Sequence, residues 1–185
     1  MDARGKENMT HVGDVGTEIA PEVTDDPELA ARLDDLLHRT CSLARALTDA
    51  EQAALNVDLD GDGRANRKFF NLSKRYARWR DYRADPRGRG LHGIHLEPGR
   101  VVRLTQEEVE SHPAWRGFGD QAAEHQPLRG WLATAVSGDD GRTYGLLQLS
   151  DKSDGGEFTS EDEDHIRELA AFAGATLDAL RAARR

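Results

Sequence analysis

Two apolar segments, 131–136 and 143–149, are separated by a short polar link. The link, residues 137–141, reads Ser-Gly-Asp-Asp-Gly, and these residue types favour tight turns. Two such segments joined by a short glycine-containing turn predict a β-hairpin. Because a hairpin joins antiparallel strands, the sequence predicts an antiparallel sheet.

Four further segments are predicted to be strands: 52–59, 68–73, 91–96 and 100–104. The first alternates along its length, with Ala53, Leu55, Val57 and Leu59 on one face. Turns are predicted at 60–63 and at Glu97-Pro98-Gly99. A short helix is predicted at 76–82. Another begins with the capping box Thr105–Glu108 and ends near His112, because the residue before Pro113 disfavours helix.

Two amphipathic helices are predicted, one before and one after these strands in the chain. The first starts with Asp26 as N-cap and Pro27 at the first helical position. The last starts with a second predicted capping box, Ser160–Glu163. The apolar stripes are Leu29, Leu33, Leu36, Leu43 and Leu47 on the first helix, and Ile166, Leu169, Ala173, Leu177 and Leu180 on the last. The fold class predicted is α+β, and both stripes, close to heptad spacing, predict a homodimer interface.

Composition and charge restrict the class of protein. The 185 residues are 37% hydrophobic and 32% charged, and the formal net charge is -9. Residues 1–25 are predicted to be a disordered leader, with a single domain over 26–185. A net negative chain repels nucleic acid and anionic membrane, so neither is expected as a partner. The sequence lacks a signal-peptide core and a long apolar run, which predicts a cytoplasmic protein.

Several segments together resemble the GAF domain family, in particular the GAF domains that precede bacterial sensor histidine kinases. The C-terminal matches are 129–136, 140–142, 144–152, 156–163 and 169–170; those in the middle are 72–77, 103–105 and 112–119. The resemblance covers roughly residues 28–182. It implies a central antiparallel sheet of five or six strands, with the terminal helices on one face. Loops and short helices then cover the other face, where a ligand pocket lies when one is present. It also implies a signalling role and dimerisation through the terminal helices.

An aromatic and basic group of residues falls in the middle of the chain, where the resemblance implies a pocket. Aromatic walls with a few polar anchors suit a small organic or anionic ligand. The ten pocket candidates are Phe69, Tyr76, Trp79, Tyr82, His92, Arg103, Trp115, Phe118, Arg129 and Trp131. The alternative interpretation is that these rings fill a second core.

No metal or cofactor is expected. The run Asp58, Asp60, Asp62 and Gly63 resembles the start of a calcium loop, but the twelfth position is Phe69, which cannot supply a bidentate carboxylate. His92 and His95 are three apart on a predicted strand and would point to opposite faces. A haem- or metal-binding sensor using one of them remains an alternative.

The sequence has one cysteine, Cys41, within the first helix. Free methionine sulfoxide reductases are catalytic members of the GAF family and exchange disulfides between several cysteines, which one cysteine cannot do. Cys41 is therefore predicted to be a buried apolar residue, and the protein is not expected to be an enzyme. The function predicted is a sensory or regulatory module that binds a small molecule and acts through dimer or partner contacts. The alternative is a ligand-free dimerisation or interaction domain.

Overall fold

The computed structural model of this chain describes residues 18–19, 27–60, 66–80, 91, 94–115, 117 and 127–183. Its centre is a six-stranded sheet in which every neighbouring pair is antiparallel. The strands are β1 (Glu18–Ile19), β2 (Ala50–Asp58), β3 (Asn66–Leu72), β4 (Val101–Thr105), β5 (Gly130–Ser137) and β6 (Thr143–Lys152), in the spatial order β1-β3-β2-β6-β5-β4. The predicted antiparallel α+β fold is confirmed.

Two long helices cover one face of this sheet. Helices α1 (Pro27–Thr48) and α3 (Ser160–Ala183) pack against each other; α1 contacts β2 and β3, and α3 contacts β5. Gly174 permits the close contact between α3 and β5, because a Cβ there would overlap the carbonyl oxygen of Ser137. A shorter helix, α2 (Gln106–Ser111), follows β4 and contributes Val109 to the core on the opposite face.

The core under the long helices is built from alternate strand positions. As predicted, Ala53, Leu55, Val57 and Leu59 all point to this side, and all are at most 3% exposed. Residues two apart in a strand share a face, so β5 and β6 contribute in the same way. Leu132 and Val136 of β5 and Leu147 and Leu149 of β6 belong to this core at such positions, and Tyr144 of β6 is also part of it.

The buried face of α1 is rotated from the predicted leucine stripe. Its buried residues are Leu33, Leu37, Thr40, Cys41, Ala44 and Thr48. Leu43 and Leu47, predicted on the apolar stripe, are each 50% exposed. The reason is close packing: Cys41 lies against the backbone of Phe69, with a distance of 3.7 Å from Sγ to the carbonyl oxygen. Small side chains therefore form the contact surface, and leucine periodicity alone does not reveal them.

The first predicted capping box is confirmed, and the second is displaced by one residue. Thr105 and Glu108 cap α2 reciprocally through their side chains and backbone N–H groups. At α3, the prediction of Ser160 with Glu163 is wrong. The N–H of Thr159 donates to Asp162 Oδ2 at 2.7 Å, and the N–H of Asp162 donates to Thr159 Oγ1 at 3.2 Å. Asp162 also pairs with Lys152 at 2.8 Å, so a buried carboxylate fixes the start of α3.

Other sequence predictions differ from the structure in the middle of the chain. Residues 94–97 are not in strand conformation. Instead the N–H of Ile94 donates to the Leu91 carbonyl at 3.1 Å, and β4 takes the sheet edge beside β5. Of the helix predicted at 76–82, one 3₁₀ turn forms at Ala77–Trp79, and 81–82 lie outside the described residues. The predicted leader, 1–25, lies outside them too, except for β1.

Across the described part of the chain, no helix is both long enough and apolar enough to cross a lipid bilayer.

Candidate functional site

The sheet has a second face, turned away from α1 and α3. Strand alternation assigns to it the positions between those of the helix-side core. On β2 these are Gln52, Ala54 and Asn56; on β6, Leu146 and Gln148; and on β5, Trp131, Ala133 and Ala135. This second face is the candidate functional site.

An apolar cluster occupies the β5 side of the second face. It consists of Leu91, Leu96, Val109, Trp131, Ala133 and Ala135, with the half-buried Trp115 packed against it. Trp131 is 1% exposed, and its indole N–H donates to Gln148 Oε1 at 3.1 Å. This cluster forms an apolar wall beside the polar part of the face.

The polar part is made of three carboxamides. Register places Gln148 of β6 beside Ala54 of β2, so Gln52, Asn56 and Gln148 surround Ala54. Gln52 is only 5% exposed. Within the described residues, neither Oε1 of Gln52 nor Oδ1 of Asn56 has a hydrogen-bond partner, although both atoms are buried. These carboxamide residues were not among the sequence candidates, although polar alternate positions in 52–59 were a visible signal.

Buried acceptors without partners have an energetic consequence. Leaving one unsatisfied costs about 1–3 kcal/mol, so most buried polar groups in proteins are paired. Carboxamides are uncharged and offer both donors and acceptors. The arrangement can therefore bind a neutral, hydrogen-bonding molecule against an apolar wall.

A second polar group, the sheet-end cluster, lies where β2 and β5 begin and β3 and β6 end. It comprises Glu51, Ser73, Arg75, Tyr76, Arg129 and Asp151. The Tyr76 hydroxyl donates to Asp151 Oδ2 at 2.5 Å, while Asp151 Oδ1 accepts from the backbone N–H of Arg129 at 2.6 Å and of Gly130 at 3.1 Å. Asp151 has a φ of 55°, an uncommon conformation for a non-glycine residue that these bonds hold in place.

Electrostatics within the sheet-end cluster follow from burial and pairing. Burial, and then the hydrogen bond to Asp151, raise the pKa of Tyr76. A separate hydrogen bond between the Arg129 side chain and Tyr76 raises the pKa of Arg129. Glu51, 1% exposed, accepts from the hydroxyl of Ser73 and pairs with Arg75 at 2.8 Å. The polar side chains of this cluster therefore bond to one another and to nearby backbone groups. They join the segment after β3 to the start of β5 and the end of β6.

The ten predicted pocket residues are distributed over three regions. Trp115 and Trp131 belong to the second face, while Tyr76, Trp79 and Arg129 are at the sheet end, with Trp79 edge-on to Tyr76 at 4.9 Å. Tyr82, His92 and Phe118 lie outside the described residues.

Two of the ten, Phe69 and Arg103, are on the helix side, and their assignment to the pocket face is wrong. Phe69 is fully buried in the core under α1, edge-on to His38 at 4.8 Å. Arg103 pairs with Glu163 of α3 at 2.6 Å and donates to the Phe158 carbonyl at 2.8 Å. Strand parity is the reason: the strand positions of Phe69 and Arg103 alternate with those of the second face.

The predicted interface residues divide by exposure. Leu33, Ile166, Ala173 and Leu177 are at most 2% exposed, in the core of the protomer, so they cannot form a surface for a partner. Leu29, Leu36, Leu169 and Leu180 are half-buried. Leu43 and Leu47 are exposed, as is Phe172 at 65%, which leucine spacing did not identify.

The structure describes several of the residues considered for metal and thiol chemistry. There, no three His, Cys, Asp or Glu side chains are grouped so as to hold a metal. Asp58 Oδ1 accepts from the Asp60 N–H at 3.2 Å within a turn, His95 is exposed, and Asp62, Gly63 and His92 lie outside the described residues. Cys41 is 1% exposed, as predicted, and burial raises its pKa.

Comparison with known proteins agrees with this architecture. The chain is similar in fold to the blue-light absorbing PixJ GAF domain of Thermosynechococcus elongatus, with a TM-score of 0.60 and 15% identity over 85% of this chain and 91% of that one. A type II free methionine-R-sulfoxide reductase from Thermoplasma acidophilum gives 0.55 and 18%, over 80% and 94%. A domain assigned to a two-component sensor histidine kinase of Sinorhizobium meliloti gives 0.52 and 12%, over 80% and 92%.

These likenesses establish the fold. The family follows from the sequence model that describes the GAF domain, which matches residues 30–178. That range contains the strands β2 to β6, the helix α2 and most of α1 and α3. The chain therefore belongs to the GAF domain family.

Proposed function

We propose that this GAF domain is a cytoplasmic sensory or regulatory module whose second face binds a small, neutral organic molecule. The observation that carries the proposal is the pair of buried, unpartnered side-chain oxygens on Gln52 and Asn56. A bound molecule with N–H or O–H groups would satisfy them and recover the cost of their burial. The apolar cluster around Trp131 supplies the wall against which a ring would pack.

The proposed output is a change in the packing of α1 and α3, or in what they contact. β2, β5 and β6 have the second face on one side and the helix-side core on the other. A ligand that binds one sheet arrangement more tightly than another would shift the population of helix arrangements with it. The relatives include a GAF domain that absorbs blue light and a domain of a sensor kinase, which agrees with a sensory role.

A non-catalytic role is part of this proposal, although one structural relative is a methionine sulfoxide reductase. Thiol exchange between two cysteines is not available to a chain with one cysteine. Cys41 is also buried and holds its proton, so it is a poor nucleophile.

The competing function is an interaction domain without a ligand. It is favoured by one observation: the large exposed hydrophobic side chains of the described residues, Leu43, Leu47 and Phe172, are all on the two long helices. Exposed apolar residues grouped in this way are typical of surfaces that contact another protein. The two functions differ in whether the second face holds a bound small molecule.

Native mass spectrometry of the protein as purified separates them. We expect wild type to carry a non-covalent small-molecule adduct that is released on denaturation. A Gln52→Met/Asn56→Leu double variant should lose the adduct, while an Ala46→Glu variant on the exposed surface of α1 should retain it. An apo mass for wild type, or an adduct that survives the double variant, contradicts binding at this face.

A further inference from the structure

The second face continues from β2 onto β3. Three residues of β3 lie directly opposite the three second-face residues of β2: Lys68 beside Asn56, Phe70 beside Ala54, and Leu72 beside Gln52. Residues that are opposite in an antiparallel pair point to the same face, with Cβ atoms about 5 Å apart. These three β3 residues are half-buried, and Phe70 belongs to neither of the two apolar cores of the described residues. The β2 side chains therefore have an aromatic and a cationic neighbour on this side.

The centre of β2 forms the floor of a groove, here called the β2 groove, which runs from Gln52 to Asn56. Ala54 is flanked by Phe70 on β3 and by Gln148 on β6, and both side chains are much longer than its methyl group. Neighbouring strands are about 4.8 Å apart, so these two side chains stand on either side of Ala54 as walls. A flat body in the groove would pack against the Phe70 ring.

The two unpartnered side-chain oxygens lie at opposite ends of the β2 groove. Gln52 and Asn56 are four residues apart, and at about 3.3 Å per residue their Cα atoms are about 13 Å apart. Side chains in strands stand roughly perpendicular to the sheet, so this separation is largely kept at the oxygens. A hydrogen bond joins atoms only about 3 Å apart. One donor group therefore cannot reach both oxygens, and a single ligand that satisfies them carries a donor at each end.

The two ends of the groove differ in charge and burial. At the first end, Gln52 is 5% exposed and has Leu72 and Ser150 beside it, neither of which is charged. A charged ligand group would lose its hydration there, next to uncharged neighbours, at a high energetic cost. The Gln52 oxygen therefore fits an uncharged donor, such as a hydroxyl.

At the other end, Asn56 is half-buried and lies beside Lys68 in register. Lys68 does not supply the missing donor, because Asn56 Oδ1 has no partner among the described residues. An ammonium group offers donors and no acceptor. A ligand group at this end therefore has to donate to Asn56 and accept from Lys68, and an amide does both.

We propose that the ligand of the second face is an extended, uncharged molecule with a hydroxyl at one end and an amide at the other. It lies along β2 with the hydroxyl on Gln52, a flat body between Phe70 and Gln148, and the amide at Asn56. The amide N–H donates to Asn56 Oδ1, and the amide carbonyl accepts from Lys68. This ligand class rests on the proposed function, to which it adds the donor spacing and the orientation.

The probe is para-hydroxyphenylpropionamide, which carries a phenol and an amide at opposite ends of a flat ring and a short chain. Two analogues each remove one donor. Phenylpropionamide lacks the hydroxyl, and the methyl ester of para-hydroxyphenylpropionic acid loses the amide N–H and keeps the carbonyl. Calorimetric titration of the full chain, unfolded and refolded to release any adduct, gives the Kd of each compound. Wild type should bind the probe about tenfold more tightly than either analogue, since each analogue leaves one buried oxygen unpaired.

Single variants assign the two ends of the ligand. Gln52→Met should abolish the preference for the hydroxyl and keep the preference for the amide over the ester, and Asn56→Leu should do the reverse. Lys68→Met should weaken binding of the amide and the ester by the same factor, because both keep the carbonyl. Ala46→Glu, on the exposed surface of α1, is the matched control and should change neither preference. Circular dichroism checks that each variant is folded, and the comparison of the three compounds in wild type needs no variant.

Three results would overturn this ligand class: no saturable binding of the probe, equal affinity for the probe and both analogues, or a hydroxyl preference that is lost in Asn56→Leu instead of Gln52→Met. Tighter binding of the anionic parent acid than of the amide would also overturn it, because the ligand would then be charged at the Lys68 end. Each of these leaves the proposed function standing when wild type carries an adduct that the Gln52→Met/Asn56→Leu variant loses in native mass spectrometry. The absence of an adduct from wild type is instead a result against the proposed function itself.

Discussion

The hydroxyl of Tyr76 donates a 2.5 Å hydrogen bond to Asp151, which is 75 residues away in the chain. The same carboxylate accepts from two backbone N–H groups at the start of β5. The Asp151 side chain thus connects the segment after β3 to the start of β5, and Asp151 itself lies at the end of β6. Since Tyr76 is 1% exposed, the bond is made away from water and is stronger than a surface contact.

Tyr76→Phe should destabilise the protein by about 1.5–3 kcal/mol, the usual range for a hydrogen bond to a charged group. The ring and its edge-on contact with Trp79 stay, so the loss reports on the hydroxyl. Urea unfolding followed by circular dichroism gives the free energy of unfolding. Trp79→Phe, which keeps the hydroxyl, is the control for the ring contact. A change below about 0.5 kcal/mol in Tyr76→Phe would show that the bond contributes little.

The same pair gives a pH dependence. The folded-state pKa of Tyr76 is raised, whereas the unfolded phenol titrates near about 10. Its contribution is therefore fully present below about pH 10 and is lost as pH rises towards the folded-state value. Wild type should lose stability above pH 10 more steeply than Tyr76→Phe. Equal slopes in urea unfolding between pH 8 and 11 would contradict the raised pKa.

The two glutamines of the second face should respond to one substitution in opposite directions. Gln52→Met removes an unpartnered buried oxygen at similar volume, so we expect the ligand-free protein to gain about 1–3 kcal/mol. Gln148→Met leaves the Trp131 indole N–H without its acceptor, so we expect a loss of similar size. Thermal unfolding of apo protein measures both. Destabilisation by both substitutions would mean that Gln52 has a structural hydrogen bond.

The start of α3 offers a test of the corrected capping box. Asp162→Ala removes the acceptor for Thr159 and leaves the half-buried Lys152 without its partner, which should cost about 3 kcal/mol. Glu163→Ala removes only a partly exposed pair with Arg103 and should cost about 1 kcal/mol or less. Chemical denaturation ranks the two variants. A larger loss in Glu163→Ala would restore the assignment predicted from sequence.

Cys41 should be unreactive in the folded protein, because its thiol is buried and its pKa is raised. Labelling with a chromogenic disulfide reagent should proceed only as fast as the protein unfolds, and should go to completion in urea. Rapid labelling under native conditions would show that the thiol is reachable and would reopen the question of thiol chemistry.

How far the sequence determines this structure depends on the kind of pattern used. The hairpin at 131–149 and the capping box at Thr105 are local, because a few neighbouring residues specify turn and cap chemistry. The face of α1 is set by tertiary packing. Leu43 and Leu47 have the spacing of core residues, but Cys41 and Ala44 are the ones that fit against the sheet.

The candidate site was harder to predict than the fold, because it depends on strand parity and on contacts between distant segments. The sequence predicts an aromatic residue such as Phe69 to line a pocket, but its position on β3 turns its side chain to the helix side. Gln52 and Asn56 are not predicted to line a pocket, because isolated amides are common on exposed strands. Only the register of β2 with β6 shows that these carboxamides surround Ala54 and are buried.

Binding of a small molecule to the second face can be observed by NMR titration of isotope-labelled protein. The probe is a protein-free small-molecule extract of the cells from which the protein is purified. We predict shifts of the side-chain amide resonances of Gln52 and Asn56 and of the Trp131 indole, with those of Gln148 following through its bond to the indole. A spectrum that does not change, or shifts confined to α1 and α3, would show that no ligand binds at this face.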